Sequence, residues 1–375
     1  MDDFMCNILI MGKTGTGKSS LLNYLCGQNL AKAGAGKPVT EEGLFKYQVS
    51  INNQVVNIFD SWGIEAGKEK VDRWNKLIED SLQEHGVQKS MEDWFHSVIY
   101  CIQAGGGRVE DVDSEIIRKF LGEGYHLTIV LTKADQVDED DERRMKDVIL
   151  QEIKGAVTAE KQGLLKVVAT CSEEKETRSG TIHQFGKEEV QNAILEGWKD
   201  TIIDRMPKHV VYSLCELIDD WANDWKTSIQ TSDKISGVGD YNKDIYKTIA
   251  EDAKLACQQI QEDRLPTVLK ESIESCHKAN ASLKKIFDIQ VNDKLFDADI
   301  LNNTENTILF LIKNFIGGLF LLPAVVNFFN MLSKKSIETQ KENLCIYVDN
   351  VASKLNEELK RLEPNISKII TDALS

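Results

Sequence analysis

The sequence predicts an α/β domain built on a mostly parallel six-stranded sheet, followed by an all-α domain. Three observations predict it. A short apolar run, Asn7-Ile8-Leu9-Ile10-Met11, passes through a glycine-rich turn straight into a helical pattern. Apolar runs then alternate with amphipathic stretches to about residue 205, as strands joined by crossover helices do. From about Lys208 strand signals fade and helical periodicity takes over. At 375 residues the chain exceeds one compact core, so two domains are expected, over 1–206 and 207–375.

The glycine-rich turn is Gly12-Lys13-Thr14-Gly15-Thr16-Gly17-Lys18-Ser19, which fits G-x-x-x-x-G-K-[ST]. Such a loop lets backbone N–H groups approach a phosphate chain, and the following helix adds its positive N-terminal dipole. Gly12, Thr14, Gly15, Thr16, Gly17, Lys18, Ser19 and Ser20 are the candidate phosphate contacts. In this motif the lysine, here Lys18, reaches the β- and γ-phosphates, and the serine, Ser19, ligates Mg²⁺. The helix runs from Ser20 to Cys26, with Leu21, Leu22 and Leu25 on one face, and stops at Gly27.

Phe45–Ile51 and Val55–Phe59 are strands joined by an Asn52-Asn53 turn. The second ends in Asp60-Ser61-Trp62-Gly63, a D-x-x-G whose aspartate can hold the Mg²⁺ shell and whose glycine N–H can bind the γ-phosphate. A helix follows over about Ala66–His85, with Trp74, Leu77, Ile78 and Leu82 at helical spacing. Ser97–Gln103 is the fourth strand and Asp113–Leu121 its helix. His126–Leu131 is the fifth strand, ending in Thr132-Lys133-Ala134-Asp135. A carboxylate there accepts from guanine N1–H and the 2-amino group together, and adenine offers no such pair. The stem of Lys133 can lie over the base. The acidic run Asp138–Glu142 suits a helix N-terminus. Lys166–Thr170 is the sixth strand, and Cys171 and Ser172 stand where a base-contacting loop is expected. A helix over about Lys187–Arg205 closes the domain.

Bulk composition narrows the partners. The net charge is −15 and the pI about 5.0, which disfavours nucleic acid and anionic lipid as default ligands. Eight cysteines lack any C-x-x-C pair or zinc spacing, as reduced cytosolic thiols do. Met1-Asp2-Asp3-Phe4 does not resemble a signal peptide. A cytoplasmic protein is expected.

The motifs, in this order, resemble the translation-factor-related class of P-loop GTPases over residues 5–205. The resemblance implies bound GTP or GDP with Mg²⁺, and hydrolysis to GDP. It implies that Thr40, closing the loop Lys32–Thr40, ligates Mg²⁺ and senses the γ-phosphate. Gln103 and the stretch Gly107-Arg108-Val109-Glu110-Asp111 resemble the loop of septin, chloroplast-import and immunity-associated GTPases. There an arginine faces a second G domain across the nucleotide, so Arg108 is the candidate for that role in a homodimer. Immunity-related and dynamin-like GTPases are looser relatives in architecture. Three departures stand out. Trp62 replaces the usual small residue, and Ile64 follows Gly63 where many small GTPases carry a water-positioning glutamine. Slow intrinsic hydrolysis is therefore expected. Gly15 replaces the asparagine of potassium-activated members.

The second half reads as helices over Val210–Ile229, 241–262, 266–288 and 334–362, with a short one from Asn365 to Leu374. Ile337, Leu344, Val348, Val351, Leu355 and Leu362 approximate a heptad register, with Leu359 one place off it. Ile308–Leu332 is apolar but for Lys313 and three asparagines, and is interrupted by Gly317-Gly318 and Pro323. It fits a buried bundle element or a hairpin dipping into a membrane better than a full span. These readings converge on a GTP-hydrolysing switch whose helical domain acts on a membrane or a protein partner. A GTP-binding scaffold with negligible turnover is the alternative.

Overall fold

The computed structural model describes residues 5–13, 15–27, 44–61, 68–105, 109–154, 165–177, 180–235, 243–288, 307 and 336–374. The chain divides into two compact units. One is Met1–Arg205 with Glu274–Lys294, and the other is Met206–Ile273 with Leu295–Ser375.

The first unit is an α/β fold, with a mostly parallel six-stranded sheet. Its strands are β1 (Cys6–Gly12), β2 (Leu44–Ile51), β3 (Gln54–Ser61), β4 (Ser97–Gln103), β5 (Leu127–Thr132) and β6 (Leu165–Ala169), in the spatial order β2-β3-β1-β4-β5-β6. Only β2 runs antiparallel, paired to β3. Asn52 and Asn53 turn that hairpin with φ of 48° and 63°, as a type I′ turn requires at both central residues. Every residue of β1 and β5 is buried, which explains their predominantly apolar sequence; the buried Asn7 is hydrogen-bonded to the carbonyls of Glu92 and Trp94.

The helices are α1 (Lys18–Cys26), α2 (Lys68–Glu84), α3 (Asp111–Gly122), α4 (Glu139–Lys154) and α5 (Lys187–Thr231). Ile78 and Leu82 of α2, Ile116, Ile117 and Phe120 of α3, and Ile149 of α4 join Leu9, Tyr100, Ile129 and Leu131 in one core. Glu110 and Asp113 form a capping box at the start of α3. A two-stranded hairpin, β7 (Lys175–Thr177) and β8 (Gly180–Ile182), lies between β6 and α5. It escaped the sequence reading because Lys-Glu-Thr and Gly-Thr-Ile are short and carry no apolar alternation.

The sequence suggested one helix ending near Arg205 and another beginning near Val210. The structure joins them in a single helix of 45 residues through Pro207. The proline removes the N–H that would reach the Ile203 carbonyl, a cost of about 3 kcal/mol in a helix interior. Buried Ile202, Met206, Val210, Val211 and Leu214 continue one apolar face through it, and that burial outweighs the lost bond.

The remaining helices are α6 (Lys243–Gln259), α7 (Leu265–Ile286), α8 (Ile337–Lys360) and α9 (Glu363–Leu374); a π-helical turn, Ile260–Arg264, joins α6 to α7. The end of α7 packs in the first unit. Asn52 donates to the carbonyls of Lys285 and Ile286 at 3.1 and 3.3 Å, and Gln191 donates to that of Phe287. In the second unit, Trp221 and Trp225 both donate to Asp252 Oδ2, at 3.1 and 2.6 Å. Leu214, Ile218, Ile249, Leu344, Val348, Leu362 and Ile366 are buried there. The heptad register of α8 holds in part: Leu344 and Val348 are buried, and Val351 and Leu355 are half-buried. Ile337 is 52% exposed, while Gln340, Leu344, Tyr347, Val348, Ala352 and Leu359 form the buried face.

No helix among the described residues is long and apolar enough to cross a membrane. Ile308–Leu332 lies outside the described residues, so both readings of it stand as made. All eight cysteines are free; seven are buried and Cys345 is half-buried. Burial pushes the thiols of Cys26 and Cys101 up to about 12 and that of Cys257 to about 11.

Candidate functional site

Parallel pairing sets the carboxyl ends of the strands side by side. Ile10 is level with Asp60, Gly12 with Cys101, Gln103 with Thr132, and Leu131 with Ala169. The predicted loops therefore leave one edge of the sheet, the edge at which open α/β sheets bind ligands.

At that edge the glycine-rich loop turns on glycine alone. Gly12 has φ +138°, and a Cβ there would lie 2.4 Å from the Cys101 carbonyl oxygen. Gly15 and Gly17 have φ of +80° and +90°. Gly17 caps α1 without any side-chain hydrogen bond, so the first amides of the helix are left for an anion. Lys18 Nζ bridges the carbonyls of Gly12 and Lys13 at 2.8 and 3.2 Å, folded back over the loop. Thr16 Oγ1 donates to the Lys13 carbonyl at 2.8 Å. Ser19 is exposed on the first turn of α1, and Asp60 is half-buried at the end of β3. Both charges of the pair Lys18 and Asp60 are felt by the Cys101 thiol. Its pKa is raised chiefly by burial, lowered by Lys18 and raised again by Asp60. A serine hydroxyl and a carboxylate are oxygen donors suited to Mg²⁺. Thr14, Thr40, Gly63 and Arg108 lie outside the described residues.

The sequence reading missed an ionic cluster behind this loop. Lys13 Nζ lies 2.9 Å from Asp113 Oδ2 and 3.0 Å from Glu110 Oε1, and Tyr100 donates to Asp113 Oδ1 at 2.6 Å. Burial alone would lower the lysine's pKa; the two carboxylates overcome it and raise the net value. The capping-box spacing of Glu110 and Asp113 was the one sequence signal for this cluster.

The other end of the site is a cavity of about 250 Å³ lined by Gly17, Ser20, Thr132, Lys133, Asp135, Gln136, Cys171, Ser172, Glu173 and Lys175. Sequence-predicted residues from the first loop, from the end of β5 and from the segment after β6 thus meet around one space. Thr132 Oγ1 donates to the Thr16 carbonyl, and Lys133, at φ 54°, sends Nζ to the Gly15 carbonyl at 2.8 Å and to Gln103 Oε1 at 3.2 Å. These bonds tie the end of β5 to the phosphate loop. Ser20 donates to Glu173 Oε1 at 2.8 Å.

The Asp135 side chain is 4% exposed. Its Oδ2 lies 3.3 Å from Lys175 Nζ, and its buried Oδ1 has no hydrogen-bond partner. An orphaned carboxylate oxygen in such a cavity fits a ligand that brings a pair of N–H donors, as guanine does. Cys171, just after β6, lines the cavity beside Ser172. Its N–H and carbonyl are both paired with Phe185, and its thiol donates to the Glu173 carbonyl at 3.1 Å. Burial, with Asp135 beside it, pushes that thiol up. The Ser172 carbonyl accepts from Gln184 at 2.7 Å.

Residues 7–133 match the family model described as 50S ribosome-binding GTPase. The chain is 30% identical over 140 residues to the tRNA modification GTPase MnmE of Ureaplasma parvum, covering 37% of this chain and 28% of that protein. It is 25% identical over 166 residues to the probable GTP-binding protein EngB of Cereibacter sphaeroides, covering 44% of this chain and 71% of that one. Among solved structures, Toc33 from Arabidopsis thaliana in complex with GDP and Mg²⁺ is similar at 18% identity. That match covers 54% of this chain and 87% of that one, with a TM-score of 0.36.

Proposed function

We propose, from the premise that residues 7–133 belong to a P-loop GTPase domain of the translation-factor-related class, that the protein binds GTP and GDP with Mg²⁺ and hydrolyses GTP. The observation that carries the reading is the buried, unpartnered Oδ1 of Asp135, a residue that lines one cavity with Gly17 and Ser20. Asp135 accepts from the guanine edge, and the stem of Lys133 lies over the base. The uncapped amides at the start of α1 receive the phosphates.

In hydrolysis, water attacks the γ-phosphorus, the bond to the β–γ bridging oxygen breaks, and GDP leaves with inorganic phosphate. Lys18 swings from the Gly12 carbonyl to the β- and γ-oxygens and balances their charge. Ser19, Thr40 and Asp60 would hold Mg²⁺, which would supply positive charge against the phosphate oxygens. The Gly63 N–H binds the γ-phosphate. Ile64 cannot orient water, so a single domain turns over slowly. Pairing of two G domains in the GTP state, with Arg108 acting across the nucleotide, completes the site. The helical region 207–375 passes that state to a membrane or a protein partner. Ile64 also favours a second reading, a scaffold that holds GTP with negligible turnover.

The test of the base site is binding of guanosine, adenosine and xanthosine diphosphates by calorimetry. The wild type is expected to take GDP and refuse ADP. Asp135→Asn should weaken GDP by about a hundredfold or more, because the amide meets the base with an N–H donor facing a donor. The same variant should gain affinity for xanthosine diphosphate, whose 2-carbonyl accepts that N–H. Equal wild-type affinity for ADP and GDP would refute the reading.

A further inference from the structure

We infer that Lys175 reads the six-position carbonyl of guanine, and that the β7–β8 hairpin is the element that brings this cation to the base. The inference rests on the guanine reading and deepens it. Asp135 accounts for the donor edge of the base; Lys175 accounts for its acceptor edge.

The lining of the cavity points to this lysine by the state of its donors. The Cys171 N–H is bonded to the Phe185 carbonyl and its thiol to the Glu173 carbonyl. Lys133 Nζ is held by Gly15 and Gln103. The Lys175 ammonium has three N–H groups and directs one at Asp135 Oδ2, 3.3 Å away. Its side chain is 38% exposed, so it can turn toward a ligand without breaking a packed core. The geometry of the base then fixes the pairing. In guanine the N1–H stands between the 2-amino group and O6. If the orphaned Oδ1 takes the 2-amino group and Oδ2 takes N1–H, O6 falls beside Oδ2, on the side where Lys175 stands. Adenine presents a 6-amino group at that point, so an ammonium there faces a donor with a donor. Guanine is thus selected from both sides of one carboxylate.

The experiment measures Kd for GDP, inosine diphosphate and 6-thio-GDP with the full chain and with Lys175→Met and Lys175→Arg. Sulfur is a weaker acceptor than oxygen, so 6-thio-GDP probes O6. Inosine lacks the 2-amino group and keeps O6, so it probes Asp135. The methionine variant should lose about 10- to 100-fold for GDP and bind 6-thio-GDP and GDP alike, with the GDP-to-inosine ratio unchanged. The arginine variant should keep the preference for GDP over 6-thio-GDP. An equal loss for GDP and 6-thio-GDP in Lys175→Met would overturn the inference, since Lys175 would then only hold Asp135 in place. Tighter GDP binding by that variant would also overturn it, making Lys175 a plug that the base displaces. A wild type that fails to bind GDP at all would instead sink the underlying guanine reading.

Discussion

Gly12 shows how one backbone angle can hold a site together. Its φ of +138° is open to glycine and rare for any other residue, and a methyl group would press on the Cys101 carbonyl at 2.4 Å. Gly12→Ala should therefore destabilise the first unit by roughly 1–3 kcal/mol, read as a lower midpoint in denaturant, and displace the loop from its phosphate-binding form. An unchanged midpoint would show that β1 and β4 separate there without cost. Gly12, Lys18 and Asp135 were legible in the sequence because each belongs to a motif of fixed spacing. Asp113 and Lys175 were not. Asp113 acts through the folded position of Lys13, a hundred residues away in sequence, and Lys175 reaches Asp135 only through a hairpin too short to leave a pattern. Cys171 was found by position, yet its backbone bonds with Phe185 are a tertiary fact that local sequence does not carry.

The strands were legible because buried parallel strands are predominantly apolar, and the centres of β1, β4 and β5 are, with Asn7, Ser97, Gln103, Thr128 and Thr132 as the polar exceptions. Continuity of α5 was not, since Pro207 reads locally as a stop and burial on both sides of it overrides the stop. The entry to β4 carries a buried polar network of its own. The Asn7 N–H donates to His96 Nδ1 at 2.9 Å, His96 Nε2 faces the Met91 carbonyl at 3.2 Å, and the Asn7 side chain donates to the carbonyls of Glu92 and Trp94. Burial pushes His96 down to about 3. The unfolded chain takes up that proton near 6.5, so it binds more protons than the folded chain between the two values. Stability is thus full above about pH 6.5 and is lost as pH falls toward 3, by up to about 1.4 kcal/mol per pH unit from this residue. Denaturant midpoints taken from pH 6.5 to 5, above the carboxylate range, should fall for the wild type. They should fall less for His96→Gln; equal slopes would show that His96 is not the group being titrated.

At the scale of the molecule, the first unit includes Glu274–Lys294, and it carries every described residue of the proposed nucleotide site. If two such units pair across GTP, turnover per molecule depends on how often they meet. Specific GTPase activity should rise with protein concentration, and Arg108→Ala should flatten that rise while leaving GDP affinity within about twofold. A flat profile for the wild type would leave a slow, solitary switch or a scaffold. Flotation with vesicles in the GDP and GTP-analogue states asks the matching question of residues 308–332.

The distribution of thiols has a practical corollary. Seven of the eight are buried, Cys171 among them in the lining of the cavity, and the eighth, Cys345, is half-buried on α8, in the second unit. Brief maleimide chemistry on the native protein would place a fluorophore near that helix with a stoichiometry close to one. The sequence thus already holds a site for an optical reporter in the helical unit, well removed from the nucleotide loops in sequence, with which to watch whether GTP bound by one unit is felt by the other.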